Sequence, residues 1–254
     1  MPSDVGWLLR EQPAPIDATA EFLKLYESPP VPAAPVLLVP GIFTDFYPAY
    51  LKAVRRGLGA RKIDIDTQGT MAGNAARIRD AVLREPVPVV LVGHSKGPLD
   101  IHAALVLHPE IVPRVRAFVS LQAPWAGTPL ATDPKRSRIL RRLAPAAFFQ
   151  MSYDQRKLFL RDHPEVPPVP TVALATSARR AGFLLEKTRR YIEEQYGAES
   201  DGFVPTVDEQ IPGARLVLLR GMDHAAVALS WMRPRAPYAP GRMARAVVAL
   251  ALRA

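Results

Sequence analysis

Apolar residues along the chain fall into two alternating patterns, short β-branched runs and longer stretches at helical spacing. Val36-Leu37-Leu38-Val39 is the first wholly apolar run, stopped by Pro40-Gly41, and a helix is expected over Tyr50–Leu58. Lys62–Asp66 reads as a strand, Ala72–Leu83 as a helix, and Val89-Val90-Leu91-Val92 as a buried strand. Helical spacing resumes at Leu99, Ala103, Leu105 and Val106. Arg114–Leu121, Thr171–Ala175 and Leu216–Leu219 are further strands, with helices over Ala181–Tyr196 and Arg242–Leu252. Strands that alternate with helices imply an α/β fold, a mostly parallel sheet with helices on both faces.

Two segments depart from that rhythm. Residues 1–35 hold short amphipathic pieces near Val5–Leu9 and Ala18–Leu25, then Ser28-Pro29-Pro30-Val31-Pro32. They read as an N-terminal extension and a stiff linker ahead of one domain over 36–254. Residues 130–165 carry basic amphipathic helices (Ile139–Leu143, Ala146–Met151, Arg156–Leu160) and read as a small helical, lid-like insertion or as two ordinary packing helices.

Composition narrows the picture in three ways. The 254 residues are 48% hydrophobic, enough for one sizeable core. Cysteine is absent, which removes disulfides, thiolate metal sites and a cysteine nucleophile. No signal-peptide pattern and no span of about eighteen apolar residues is visible, so a cytoplasmic protein is expected. The net charge of +9 is unevenly placed. Residues 1–95 balance ten basic against ten acidic groups, whereas 130–190 hold thirteen against five. That asymmetry suits either a solvated basic face or an anionic interface. Without interleaved aromatic residues it does not suit single-stranded nucleic acid.

The candidate chemistry centres on Gly93-His94-Ser95-Lys96-Gly97, a Gly-x-Ser-x-Gly turn between a strand and a helix. The turn is sharp enough that a side chain at Gly93 or Gly97 would collide with neighbouring backbone. Asp201, in Glu199-Ser200-Asp201-Gly202-Phe203-Val204-Pro205, and His224, in Gly221-Met222-Asp223-His224, follow in that order past strand ends. In an open α/β sheet such ends share one edge, so these residues can meet there. Charge assigns the roles: Ser95 attacks, His224 takes its proton, and Asp201 orients the imidazole. Asp208 and Asp223 are the rival acids. His94 is expected to pack under the turn, with His102 and His108 structural or exposed. The loop after Val39 supplies candidate oxyanion donors, Ile42 N–H with Lys96 N–H.

On these motifs the chain resembles the α/β-hydrolases of bacterial esterase/lipase type over about residues 34–254. Leu38-Val39-Pro40-Gly41-Ile42 carries the likeness together with the Ser95, Asp201 and His224 segments. Ala123-Pro124-Trp125-Ala126-Gly127-Thr128-Pro129 is similar to a lipase segment that by implication lines the pocket. The resemblance implies a serine hydrolase of acyl or lipid-like esters that needs no metal or organic cofactor. Phe43, Trp125 and Phe203 are the expected pocket residues, Trp125 being either a pocket wall or a core aromatic. Thioester cleavage, acyl transfer and non-catalytic binding use the same features. Three positions depart from the family pattern: Pro40 for a histidine, Pro98 for a second glycine, and Lys96 for an apolar residue or glutamine. The Lys96 side chain is expected to point to solvent, the alternative being a role toward an anionic substrate.

Overall fold

The computed structural model describes residues 4–253 apart from 43, 45–48, 134–144, 164–165 and 230–235. Strands β1 (Ile16–Asp17), β2 (Val36–Val39), β3 (Arg61–Lys62), β4 (Val89–His94), β5 (Val115–Leu121), β6 (Thr171–Ser177) and β7 (Arg215–Arg220) form one sheet. Its order is β1-β7-β6-β5-β4-β2-β3 and each pairing is parallel.

The period of two along each strand divides the core. Leu37, Val39, Val89, Leu91, Phe118 and Ala173 face one layer. Val36, Leu38, Val90, Val92, Val119 and Val172 face the other. Helices cover both faces: α1 (Trp7–Glu11), α2 (Thr19–Glu27), α3 (Lys52–Leu58), α4 (Met71–Leu83), α5 (Gly97–Leu107), α6 (Pro129–Thr132), α7 (Pro145–Phe149), α8 (Tyr153–Asp162), α9 (Phe183–Tyr196), α10 (His224–Ala228) and α11 (Pro240–Ala251). Nine successive residues of α5, Gly97 to Leu105, are buried, so this helix is covered on all sides and lies inside the molecule. No helix among the described residues is long and apolar enough to cross a membrane.

Residues 4–28 are packed against the rest of the domain. Residues 16–17 pair with Arg215 and Leu216 at the sheet edge. Trp7 and Leu8 enter one core layer and Phe22 and Leu25 the other. Asp208 ties three segments together: its carboxylate accepts from Gly6 N–H (2.7 Å) and from the Tyr153 hydroxyl (2.7 Å). The insertion is likewise packed in where it is described. Ala147, Phe148, Met151, Tyr153, Arg156 and Leu160 are all buried, while the helix expected over 139–143 lies outside the described residues.

Burial lifts the Asp208 carboxyl to about 7 from an ordinary 3.8. Between those values the folded state binds more protons than the unfolded chain, so this group's contribution to stability falls as pH rises. Asp208→Asn, which cannot ionise, should therefore gain on wild type in Tm between pH 5 and pH 8. A Tm difference that stays flat over that range would refute the assignment.

Candidate active site

Ser95 and His224 follow the ends of β4 and β7, whereas Asp201 follows α9, not a strand as expected, and reaches the same edge because Ala178 N–H, just past β6, donates to the Ser200 carbonyl (3.0 Å). β4 runs into Ser95, which sits at φ 59°, the left-handed region that costs a non-glycine residue about 1 kcal/mol or more. Close packing enforces the turn. A Cβ on Gly97 would lie 2.3 Å from the Val39 carbonyl oxygen, and one on Gly93 would lie 2.5 Å from Pro98 N. Gly41 approaches from the neighbouring strand, since a Cβ there would meet Ser95 Cβ at 2.7 Å. Pro98 occupies the first turn of α5, where its missing N–H costs nothing.

Asp201 and His224 reach Ser95 from two loops that are hydrogen-bonded together, His224 N–H donating to the Asp201 carbonyl (2.9 Å). Asp201 is fully buried, and its Oδ1 accepts the amides of Phe203 and Val204, both at 2.8 Å. Its Oδ2 lies 2.5 Å from His224 Nδ1, and His224 Nε2 lies 3.0 Å from Ser95 Oγ. A carboxylate can only accept, so Nδ1 carries the proton and Nε2 is free to accept from the serine hydroxyl. The three side chains form one hydrogen-bonded line.

The rival acids are engaged elsewhere. Asp223 caps α10, with Oδ1 accepting from Ala226 N–H (2.9 Å) and Oδ2 from Gly182 N–H (2.7 Å). Asp208 holds Gly6 and Tyr153, as described above.

The remaining sequence candidates are placed as follows. Among the described residues no acceptor takes up the Ile42 or Lys96 amide. Phe203 lies against the site, its ring centroid 4.9 Å from that of His224 and 6.3 Å from that of Phe148. Thr128 fixes the same loop by donating to the Phe203 carbonyl (2.6 Å). Phe43 lies outside the described residues. Trp125 is wholly buried, stacked on His102 at 4.6 Å with the Arg156 guanidinium 5.7 Å from its ring centre. Among the described residues it is packed within the core, with Arg156 of α8 against it.

Lys96 is the correction. Its side chain does not reach solvent but is 1% exposed, with Nζ 2.5 Å from Asp100 Oδ1. Asp100 Oδ2 accepts from Asn74 of α4 (2.9 Å), which also clamps Asp66 through both its backbone groups. Burial outweighs these partners and raises the Asp100 carboxyl to about 6. The physical reason is α5 itself: a helix buried on all sides leaves a lysine at its start no route to water, and Asp100 one turn on supplies the counter-charge.

Two further residues were invisible in the sequence. Tyr50 hydroxyl lies 2.7 Å from His94 Nδ1, and Gln122, at φ 51°, lies 3.1 Å from His94 Nε2 through its Oε1. His94 is buried beside His224, as expected of a residue under the turn. Neither Tyr50 nor Gln122 belongs to a motif; only the strand ends bring them together.

At the level of sequence, no protein-family profile and no curated protein matches the chain. Solved structures do. A metagenomic carboxyl esterase superposes with a TM-score of 0.75 at 24% identity, covering 87% of this chain and 76% of its own. A Bacillus licheniformis lipase in mature form gives 0.63 at 22% identity, covering 78% and 87%. The Staphylococcus hyicus lipase gives 0.57 at 12% identity, covering 87% and 95%. With the parallel sheet and its flanking helices, these likenesses show that the chain has the α/β-hydrolase fold.

Proposed function

We propose that the protein is a serine hydrolase of carboxylic esters that works through an acyl-enzyme. The observation that carries this reading is the continuous line from Ser95 Oγ through His224 to Asp201. In the first half-reaction Ser95 Oγ attacks the ester carbonyl carbon while its proton passes to His224 Nε2. The buried Asp201 carboxylate offsets the imidazolium charge. The carbonyl oxygen becomes an oxyanion between the amides of Ile42 and Lys96, which need no reorganisation at that moment. His224 then returns the proton to the leaving alkoxide as the C–O bond breaks. Water, deprotonated by the same nitrogen, attacks the acyl-enzyme and regenerates Ser95.

Phe203, beside His224 and against Phe148, gives the acyl group an apolar surface, and this supports esters of an alkyl acid. A basic rim supports an anionic interface as the place of action. Arg179, Arg180 and Arg220 line a cleft of about 930 Å³, where Arg189 is paired with Glu186 and Glu193, and Glu199 adds a further acid. Phe183, 96% exposed, opens α9 three residues after Arg180.

The test is stopped-flow hydrolysis of p-nitrophenyl esters from C2 to C16. A burst of p-nitrophenol equal to the enzyme concentration, and an optimum along the series, are the expected results. Folded protein that turns over no ester but cleaves acyl thioesters would move the assignment to thioesterase. Folded protein inert to both would sink the hydrolase reading.

A further inference from the structure

The hydrogen bonds around His94 have only one consistent direction. Gln122 Nε2 has two N–H groups, and both are committed, to Thr176 Oγ1 (2.6 Å) and to the Asp223 carbonyl (3.1 Å). Its Oε1 can only accept, so the bond to His94 requires His94 to carry its proton on Nε2. His94 Nδ1 is then an acceptor, and the partner 2.7 Å away, the Tyr50 hydroxyl, must be the donor. The Tyr50 oxygen retains lone pairs and stands directly against Gly41, where a Cβ would lie 2.8 Å from it. Each bond fixes the next, from the loop that carries His224 to the loop that carries Ile42.

We propose that Gln122, His94 and Tyr50 act as a strut of positioning residues that holds the Gly41–Ile42 backbone against Ser95. The inference rests on the serine hydrolase reading and deepens it. The contact the strut serves is close, since Gly41 has no room for a Cβ beside Ser95 and Tyr50. Direction matters as much as proximity. His94 lies with its ring centroid 4.9 Å from His224, where a second cation would oppose the imidazolium formed during attack. Burial, with His224 beside it, holds the His94 pKa well below the usual histidine range, so the strut keeps one protonation state while its neighbour cycles. Gln122 accepts a strained φ of 51° at the end of β5, and the strut gives that conformation a use.

Tyr50→Phe removes the hydroxyl and keeps the ring. It is expected to lower kcat on a short p-nitrophenyl ester about tenfold to a hundredfold, short of losing an oxyanion donor outright. KM should stay within about threefold and the Tm within a few degrees, because neither ground-state binding nor packing depends on that oxygen. In a His94→Asn background the same change should add little. A second readout needs no turnover: the side-chain ¹⁵N spectrum should show His94 as the Nε2–H tautomer, unaltered across the pH range of activity. Wild-type kcat in a folded Tyr50→Phe variant, or an Nδ1–H or titrating His94, would overturn the strut alone. Wild type without Ser95-dependent turnover would overturn the hydrolase reading and the strut with it.

Discussion

Ser95→Ala is expected to lower kcat on a p-nitrophenyl ester by about six orders of magnitude, and Asp201→Asn by about four. The second value follows from how Asp201 is held. Two amides donate to its Oδ1, so an asparagine must place its carbonyl oxygen there and its NH₂ where Oδ2 was. That NH₂ faces His224 Nδ1 and can only donate. The ring is then forced into the opposite tautomer, with Nε2–H pointing at Ser95 Oγ and nothing left to take the serine proton. Shape and burial are unaltered, so KM and Tm should stay near wild type. Steady-state kinetics on both variants, with circular dichroism to establish folding, checks the pair. An Asp201→Asn enzyme that keeps more than a tenth of its rate would remove Asp201 from the role of orienter.

The second large effect concerns stability. Lys96→Met leaves Asp100 buried, with Asn74 as its direct partner, and should cost about 4 kcal/mol at pH 8. The loss should shrink toward pH 5. Asp100 in the wild type already binds its proton below about 6, and without the ammonium it binds one at higher pH still. Above about 6 the folded variant therefore holds more protons than the folded wild type, and raising the pH takes stability from it. Asp100→Asn added to Lys96→Met should recover most of the deficit, since no charge is then stranded. Chemical denaturation at the two pH values reads all of this. A single variant as stable as wild type at pH 8 would mean that the ammonium reaches water after all.

Much of the sheet was legible because its central strands are buried on both faces and read as unbroken apolar runs. Val36–Val39, Val89–Val92, Thr171–Ala175 and Leu216–Leu219 all lie within observed strands. The edges were not. β1 is two exposed residues just after Pro15, with no pattern of its own, and is a strand only because β7 is beside it. The strand expected over Lys62–Asp66 pairs only at 61–62, although Ile63 and Ile65 are buried beyond it. Within the candidate site, Ser95, Asp201 and His224 carry local signals, a glycine-flanked turn, an acid in a turn and a strand exit, and form one hydrogen-bonded line. Tyr50 and Gln122 carry none, because their partners are remote in the chain. Lys96 misled for a different reason. A lysine in a loop is ordinarily solvated, and the sign that this one is not was Asp100, the lone acid in an otherwise apolar helix.

The pairing of β1 with β7 imposes an order on biosynthesis. Ile16 emerges from the ribosome about 200 residues ahead of Arg215, the residue it pairs with. At about 5–20 residues per second the leading segment therefore waits ten seconds or more for its place in the sheet. Through that interval Phe22 and Leu25 lack the partners they meet in β7 and α11, Val217, Leu219 and Met243 among them. Once β7 is made, the same segment covers its open edge, where another molecule's strand could otherwise add. The segment around Ile16 is thus the last piece of the sheet to be laid, although it precedes every other strand in the chain.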